Sequence, residues 1–342
     1  MTTPETIATS IPDHLPQHLN IDRGKLNQVA DRFPMRISPH FLSLIQAADD
    51  PIARQVIPDI RELSDPNTEA DPLREESQSP VPQIIHRYPH RVIFLVSNQC
   101  AVYCRFCMRK RRLVKAAKVS DDAIGQGLDY IRENKAINEV ILSGGDPLML
   151  SDTALTKILA ALRRLPHVRI LRIHTRIPNA RPRRITPALA RQLSVFHPLF
   201  VNIHFNHPEE ISPAAQMACA LLADAGIALG SQTVLLRDIN DDPQILRSLM
   251  LKLMEIRVRP YYIHQLDRVP GSAHFRVPMD KALKLMATLR GHLSGMAVPH
   301  FMVDLPGGGG KVALVPESIV SRKENHWVLR NFEGREFIYP TE

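Results

Sequence analysis

The sequence is poor in cysteine, in aromatic residues and in long apolar runs, and each shortage excludes a class of protein. Four Cys in 342 residues are too few for a disulfide framework. No stretch of about eighteen consecutive apolar residues occurs, so no membrane-spanning helix is expected. Residues 1–17 carry neither a basic n-region nor an apolar h-region, so no secretory leader is expected and a reducing, cytoplasmic setting is. Aromatics make up 5% of the chain, a thin supply for stacking unpaired bases. What is abundant is apolar residues at 44%, 28 Pro, and 43 Lys and Arg against 35 Asp and Glu, a formal charge of +8. The first allows a large core, the second predicts short and sharply ended elements, and the third favours anionic partners. The length suits two domains, or one α/β barrel of roughly 250 residues with extensions.

Residues 1–86 are Pro- and charge-rich, with short amphipathic pieces at Pro39–Ala48 and Pro51–Val56, and read as an irregular, partly helical extension. From residue 87 to 311 apolar strand candidates alternate with helices: Arg91–Ser97, Asn138–Leu142, Val168–Ile173, Leu199–His204, Ala228–Leu235, Arg259–His264 and Pro299–Val303. Their nearly continuous apolar character predicts strands buried on both faces. Ser120, Ser151, and Thr186 followed by Pro187 are expected helix caps. Six βα repeats and a seventh strand predict an α/β fold with a parallel sheet, as a barrel or part-barrel. Residues 312–342 form a short C-terminal segment in which His326–Tyr339 reads as a hairpin.

In such a barrel the active site lies on the loops that follow the strands, and the unusual residues of this chain fall there. After the first strand comes a C-x₃-C-x₂-C run, Cys100, Cys104 and Cys107. Three thiolates from one loop suit an iron–sulfur cubane whose fourth iron has no protein ligand, whereas structural zinc asks for four ligands. The remaining Cys219 sits in a helical run and reads as a core residue. After the second strand come Ser143, Gly144, Gly145 and Asp146. Paired glycines allow a close backbone approach to a ligand and the acid can accept from an ammonium. His174 and Arg176, then His204, Asn206 and His207, Gln232, and His264 with Asp267 follow in later loops. After the seventh strand stands Asp304, with Pro306-Gly-Gly-Gly-Gly-Lys311. A nucleotide P-loop would need Gly where Leu305 stands and Ser or Thr where Val312 stands, so Lys311 reads instead as an amine that forms a Schiff base with a carbonyl cofactor.

The C-x₃-C-x₂-C triplet with Arg109-Lys-Arg-Arg, SGGDPL, HFNHP, VRPYYIHQLD and VDLPGGGGK resembles the lysine 2,3-aminomutase family of radical S-adenosylmethionine enzymes, from about Phe33 to Pro316. The resemblance implies a radical SAM partial TIM barrel of (βα)6 type. It also implies three cofactors: a [4Fe-4S] cluster on the three Cys, S-adenosyl-L-methionine (SAM) bound at the open iron and along Ser143–Asp146, and pyridoxal 5′-phosphate on Lys311. In that family the reduced cluster cleaves SAM to a 5′-deoxyadenosyl radical, and the protein positions the cofactors that carry the chemistry. Arg87, Tyr88 and Arg91 match the phosphate cradle, for which bidentate Arg contacts are suited, and His204 and Gln232 are further cofactor-contact candidates.

Three residues match the family's substrate site: Arg109 for the α-carboxylate, and Asp267 and Asp304 for the ε-ammonium of lysine. The implied reaction is an isomerisation that moves the amino group of L-lysine from C2 to C3, giving β-lysine; arginine or ornithine fit the same charges. The partners implied are the small-molecule substrate and a reductant such as flavodoxin or ferredoxin, with no membrane; a homodimer is the oligomer the reading admits. Longer members continue into a Cys-rich zinc segment. No Cys follows Cys219 here, so neither that zinc nor that interface is expected. Phe106 stands in the cluster loop where several relatives have His. His264-Gln-Leu-Asp267 and the compact length resemble the branch that makes β-lysine for elongation factor P, whereas VDLPGGGGK resembles the free-lysine enzymes. A rival from another class is a basic RNA-binding or RNA-modifying protein. It leans on Arg109–Arg112 near Lys115 and Lys118 and on eight Arg without one acid from Arg163 to Arg184.

Overall fold

The computed structural model describes residues 15–341 apart from 20, 66, 67, 114–117 and 316; Lys115 lies outside the described residues. Nine strands form one sheet in sequential order: β1 (Ile84–Tyr88), β2 (Arg91–Ser97), β3 (Glu139–Gly144), β4 (Ile170–Thr175), β5 (Leu199–His204), β6 (Ala228–Val234), β7 (Arg259–His264), β8 (His300–Leu305) and β9 (Gly310–Leu314). Strands β2 to β8 are parallel, and β1 and β9 pair antiparallel at the two ends. A separate antiparallel sheet holds β10 (Ile319–Arg322), β11 (His326–Arg330) and β12 (Glu336–Pro340), which contains the expected hairpin.

Helices α1 (Arg23–Arg32), α2 (Pro39–Ser43) and α3 (Ala53–Val56) precede the sheet, and α4 (Lys110–Leu113) follows the cysteine loop. The crossovers are α5 (Asp121–Glu133), α6 (Asp152–Arg163), α7 (Ile177–Ala180), α8 (Pro187–Ser194), α9 (Pro213–Asp224), α10 (Pro243–Glu255) and α11 (Met279–Leu289). Six βα units and a seventh parallel strand give the nearly closed α/β partial barrel. Ser120, Ser151 and Thr186 cap α5, α6 and α8 by accepting from the backbone of Ala123, Ala154 and Leu189, as expected from their side-chain oxygens.

Two expectations change. The strands are not buried on both faces. Residues such as Val92 and Phe94, Leu171 and Ile173, and Val201 and Ile203 pack outward against helix residues such as Leu155, Leu159 and Leu189. Their alternates Arg91, Ile93, Arg172, His174, His204 and Gln232 face a cavity. The alternation of polar and apolar residues along these strands therefore reflects an inner face given to a site. The N-terminal extension is also more tightly bound than its composition suggested. β1 crosses the expected boundary at residue 86, and the barrel's two ends meet there without a ladder. The Lys311 amide donates to Tyr88 Oη (2.8 Å), the Gly307 amide donates to the Pro72 carbonyl (3.1 Å), and Arg87 pairs with Asp304 (3.4 Å).

The extension is tied to the cysteine loop by a buried ion pair. Glu62 accepts from Arg105 Nε (2.8 Å) and Nη2 (2.7 Å), and both side chains are at most 2% exposed. Arg105 also donates to the carbonyls of Phe33 and Pro34. Asp65 reaches the loop after β7, accepting from the Ser272 and Ala273 amides and from Arg276. Removing one partner of such a pair leaves a buried charge without compensation. Glu62→Ala is therefore expected to lower the stability of the protein by about 3–5 kcal/mol in urea unfolding; a loss under about 1 kcal/mol would make the pair incidental. Among the described residues no helix is long and apolar enough to cross a membrane.

Candidate active site

One cavity of about 290 Å³ opens at the strand ends, and the candidate residues for cluster, cofactor and substrate read from the sequence line it, with Asn206 and His207 left outside. The three cluster cysteines contribute from the loop after β2. All are free thiols, and Cys104 Sγ accepts from Arg176 Nη1 at 2.8 Å. Burial and the neighbouring sulfurs push the Cys107 thiol up to about 11, and the Cys100 thiol also rises, through burial first and then through Cys107 and Asp146. Two thiols that resist ionisation, with Cys104 on the same loop, are suited to a cationic iron centre, which deprotonates its thiol ligands. Among the described residues no three His, Cys, Asp or Glu side chains converge closely enough to hold one metal ion; a cubane takes each thiolate on a different iron and requires no such convergence. Cys219 is fully buried in α9, and burial pushes its thiol to about 12, as a core residue.

The loop after β3 is stacked on the cysteine loop. The Gly145 amide donates to the Ser97 carbonyl (2.6 Å) and the Asp146 amide to the Gln99 carbonyl (2.7 Å). A Cβ on Gly144, whose φ is +124°, would lie 2.2 Å from the Ser97 oxygen, and one on Gly145 would lie 2.4 Å from the Gln99 oxygen. The missing side chains thus serve loop-to-loop contact in the first place, and through it set the wall that faces the cysteines. Asp146 is 4% exposed and its carboxylate is committed to the protein. It accepts from Thr175 Oγ1 (2.7 Å), the Arg176 amide (2.7 Å) and the Leu148 amide (3.0 Å). Burial outweighs these bonds and raises its carboxyl to about 6. Asp146 thus also serves as a brace that joins the ends of β3 and β4.

Lys311 and Asp304 are cross-strand partners in the β8–β9 pair, so their side chains share a face, and Lys311 Nζ donates to Asp304 Oδ2. Lys311 lies beside the cradle residues, its amide on Tyr88 and its ion-pair partner shared with Arg87. Arg87 is further held by Gln78 Oε1 (2.7 Å) and the Leu73 carbonyl (3.1 Å). Arg91 stacks over the Tyr88 ring at 4.6 Å and approaches Glu139. Two adjoining guanidiniums and a phenol beside an amine form a suitable seat for a phosphate-bearing carbonyl cofactor.

Asp267, from the end of β7, is the most perturbed carboxyl of the substrate wall. Burial, and then the neighbouring Asp304, lift it to about 7, against the pull of Lys311 and Arg109. Two acids close enough to repel each other are stabilised by a cation between them. Arg109 stands in the loop after Cys107 with Nη1 donating to Ser143 Oγ (3.2 Å). Burial holds the imidazoles of His204, at about 3, of His174 and of His264 below their ordinary range, so they are neutral. His204 Nε2 meets Asn206 Oδ1 at 3.0 Å. Asn206 itself does not face the cavity: it is fully buried and also joins Gln55 and the Val234 amide.

Among the cavity residues that escaped the sequence reading are Glu75, Leu73, Arg172 and Tyr262. Arg172 faces inward and pairs with Glu139 (2.7 Å). The only signals for them were the inward parity of β4 and β7; nothing in the Pro- and charge-rich N-terminal region distinguished Glu75. Phe106 packs edge-on against Phe275 and His204 beneath the Arg176 guanidinium, filling the cluster loop with apolar surface.

Comparison with known proteins agrees with this geometry. Residues 94–249 match the profile of the radical SAM superfamily, and residues 286–342 match the lysine-2,3-aminomutase C-terminal profile. The chain is 47% identical over 308 residues to the L-lysine 2,3-aminomutase of Fusobacterium nucleatum, covering 88% of this chain and 72% of that one. It is also 47% identical to the L-lysine 2,3-aminomutase of Clostridium subterminale (88% and 73%). To the glutamate 2,3-aminomutase of Clostridioides difficile it is 44% identical over 317 residues (92% and 75%). A cavity lined by three cluster-type cysteines, a phosphate cradle beside a lysine and a carboxylate pair thus has its counterpart in sequence: the chain belongs to the lysine 2,3-aminomutase family of radical SAM isomerases.

Proposed function

We propose that the enzyme acts on L-lysine and moves its α-amino group from C2 to C3, giving β-lysine. Overall identity does not separate this from the glutamate reaction, since a glutamate enzyme stands at 44%. The observation that carries the reading is the acid pair. A cationic side chain between Asp267 and Asp304 relieves the repulsion that, added to burial, lifts Asp267 to about 7, whereas a side-chain carboxylate there would add to it.

The residues divide the work as follows. Cys100, Cys104 and Cys107 would hold the cluster, and Ser143 to Asp146 would form the neighbouring wall for SAM. Arg87, Tyr88 and Arg91 take the phosphate of pyridoxal 5′-phosphate, and Lys311 supplies the amine for its carbonyl. His204 and Gln232 line the same space. Bound there, the cluster with SAM supplies a hydrogen-abstracting radical, and the pyridoxal carbonyl carries the migrating amine. Arg109 receives the α-carboxylate, and Asp267 with Asp304 orients the ε-ammonium, which fixes C3 relative to the cluster wall. The neutral histidines add no charge to the cavity and need not transfer a proton. A flavodoxin- or ferredoxin-type reductant supplies the electron.

The test is an anaerobic assay of the reduced, reconstituted enzyme with lysine, ornithine, arginine and glutamate, scoring β-amino acid products across pH. Lysine is expected to be converted with the highest kcat/KM and glutamate not at all. Because Asp267 must be ionised to hold a cation and titrates near 7 in the free enzyme, kcat/KM for lysine is expected to fall about tenfold per pH unit below that value, with kcat moving less. Asp267→Asn should lower kcat/KM by about 10- to 100-fold and flatten the acid limb. Conversion of ornithine or arginine in preference to lysine would change the substrate, and a glutamate product would overturn the reading of the acid pair.

A further inference from the structure

The segment Leu73–Gln78, upstream of the barrel, touches both guanidiniums that the site depends on. Its Gln78 side chain and Leu73 carbonyl hold Arg87. Its Glu75 holds Arg109: Glu75 Oε1 accepts from Nε (3.0 Å) and Nη2 (2.7 Å), and Oε2 lies 3.1 Å from Nε. Glu75 is 1% exposed and lines the cavity. Its carboxyl is held below the usual range, because Arg109, Arg111 and Arg112 outweigh the effect of burial. Arg111 is in turn shared among Glu75 (3.3 Å), Asp71 (2.8 Å) and Glu76 (3.3 Å).

A guanidinium offers a side-on edge, Nε with Nη2, and an end-on edge, Nη1 with Nη2. Glu75 fills the first. What remains free to point into the cavity is the Nη1 end, already within 3.2 Å of Ser143 Oγ. We propose that Glu75 is a positioning residue for the substrate carboxylate: it fixes the plane of Arg109 so that the end-on edge faces the α-carboxylate. An Arg side chain has four rotatable bonds, and holding one edge in a bidentate pair removes the freedom that a carboxylate would otherwise have to freeze on binding. The N-terminal segment is then part of the substrate site although it touches no substrate atom. This inference rests on the assignment of the α-carboxylate to Arg109.

Glu75→Gln keeps the size but turns one acceptor into a donor facing the Arg109 donors. The experiment compares lysine turnover with inhibition by 1,5-diaminopentane, which has lysine's two amines and no carboxylate. KM for lysine is expected to rise about tenfold, the scale of one charge-assisted hydrogen bond. The expectation for kcat is a change within about threefold, with the diaminopentane inhibition constant unchanged. Glu75→Asp, still anionic but one methylene short, is expected to show the same split with a smaller rise, and carries the test if the Gln variant does not fold. Equal rises for lysine and diaminopentane, a fall confined to kcat, or an unchanged KM would each overturn the inference. Arg109→Gln separates it from the reading beneath it. If that variant leaves KM for lysine unchanged, the carboxylate assignment fails. If it raises KM while Glu75→Gln does not, only the positioning role fails.

Discussion

Replacing Lys311 by alanine is expected to abolish the Schiff-base absorbance of the protein reconstituted with pyridoxal phosphate and to lower turnover at least about 10³-fold, as when the covalent group of an active site is removed. The geometry makes this a clean test. Lys311 is held in β9 by backbone pairing with β8 and by its amide bond to Tyr88, none of which needs the side chain. Gly310, with φ +86°, lets the strand pass the Tyr88 phenol, which would sit 3.2 Å from a Cβ there. The variant loses an amine and the ion pair to Asp304; Asp304 is 5% exposed but keeps Arg87 at 3.4 Å, so a stability loss of about 1–3 kcal/mol is expected, small beside the loss of turnover. Absorbance unchanged in the variant would move the Schiff base to another lysine.

The second large effect is at Cys104. Anaerobically prepared protein is expected to be brown with about four irons per chain, and Cys104→Ala to retain almost none, because a cubane held by three thiolates from one loop has no spare ligand. Turnover is expected to vanish with the iron. Cys104 is also the sulfur that accepts from Arg176, a buried guanidinium that packs over Phe41 and pairs with Glu210. The truncation therefore removes one acceptor from a buried donor, a cost of about 1–3 kcal/mol, small beside the loss of function. Iron retained at the wild-type level in this variant would sink the ligand assignment.

Much of this was legible in the sequence, for a physical reason. Parallel strands announce themselves by short apolar runs, and Arg91–Ser97, Leu199–His204 and Arg259–His264 were read with their observed bounds. The loops after them carry residues such as Arg109 and Asp267 that no core would tolerate without a partner, and three cysteines on one loop, so the site stood out against the scaffold. Strands β1 and β9 were missed because they are antiparallel, half polar, and lie beside Pro- and Gly-rich stretches that look like punctuation. At Asp146 the sequence showed a cavity acid but not its second use as a loop brace, which appears only in its partners Thr175, Arg176 and Leu148. Glu75 was invisible because its meaning depends on Arg109, 34 residues away.

Several of the arginines behind the rival nucleic-acid reading have partners within the protein. Arg163 donates to the carbonyls of Phe196, Val168, Arg169 and Pro198, and Arg184 to those of Leu148 and Leu150 with Asp152 beside it. Arg172 and Arg176 are turned into the barrel, and Arg109 and Arg111 are matched by acids of the N-terminal segment. Positive charge that looks like a surface patch in one dimension is largely spent in joining strands, helices and the extension.

The contact between Tyr88 and Lys311 joins residues 223 positions apart. Everything between them can fold by local βα steps as it leaves the ribosome, but this contact forms only when nearly the whole chain has been made, and contacts of such long range come late. The cysteine loop, by contrast, follows β2 directly and meets β3 within a few tens of residues. Closing the barrel is thus also what brings Lys311 to Tyr88 and Arg87, at a point in synthesis when the cysteine loop and the loop after β3 have already been made.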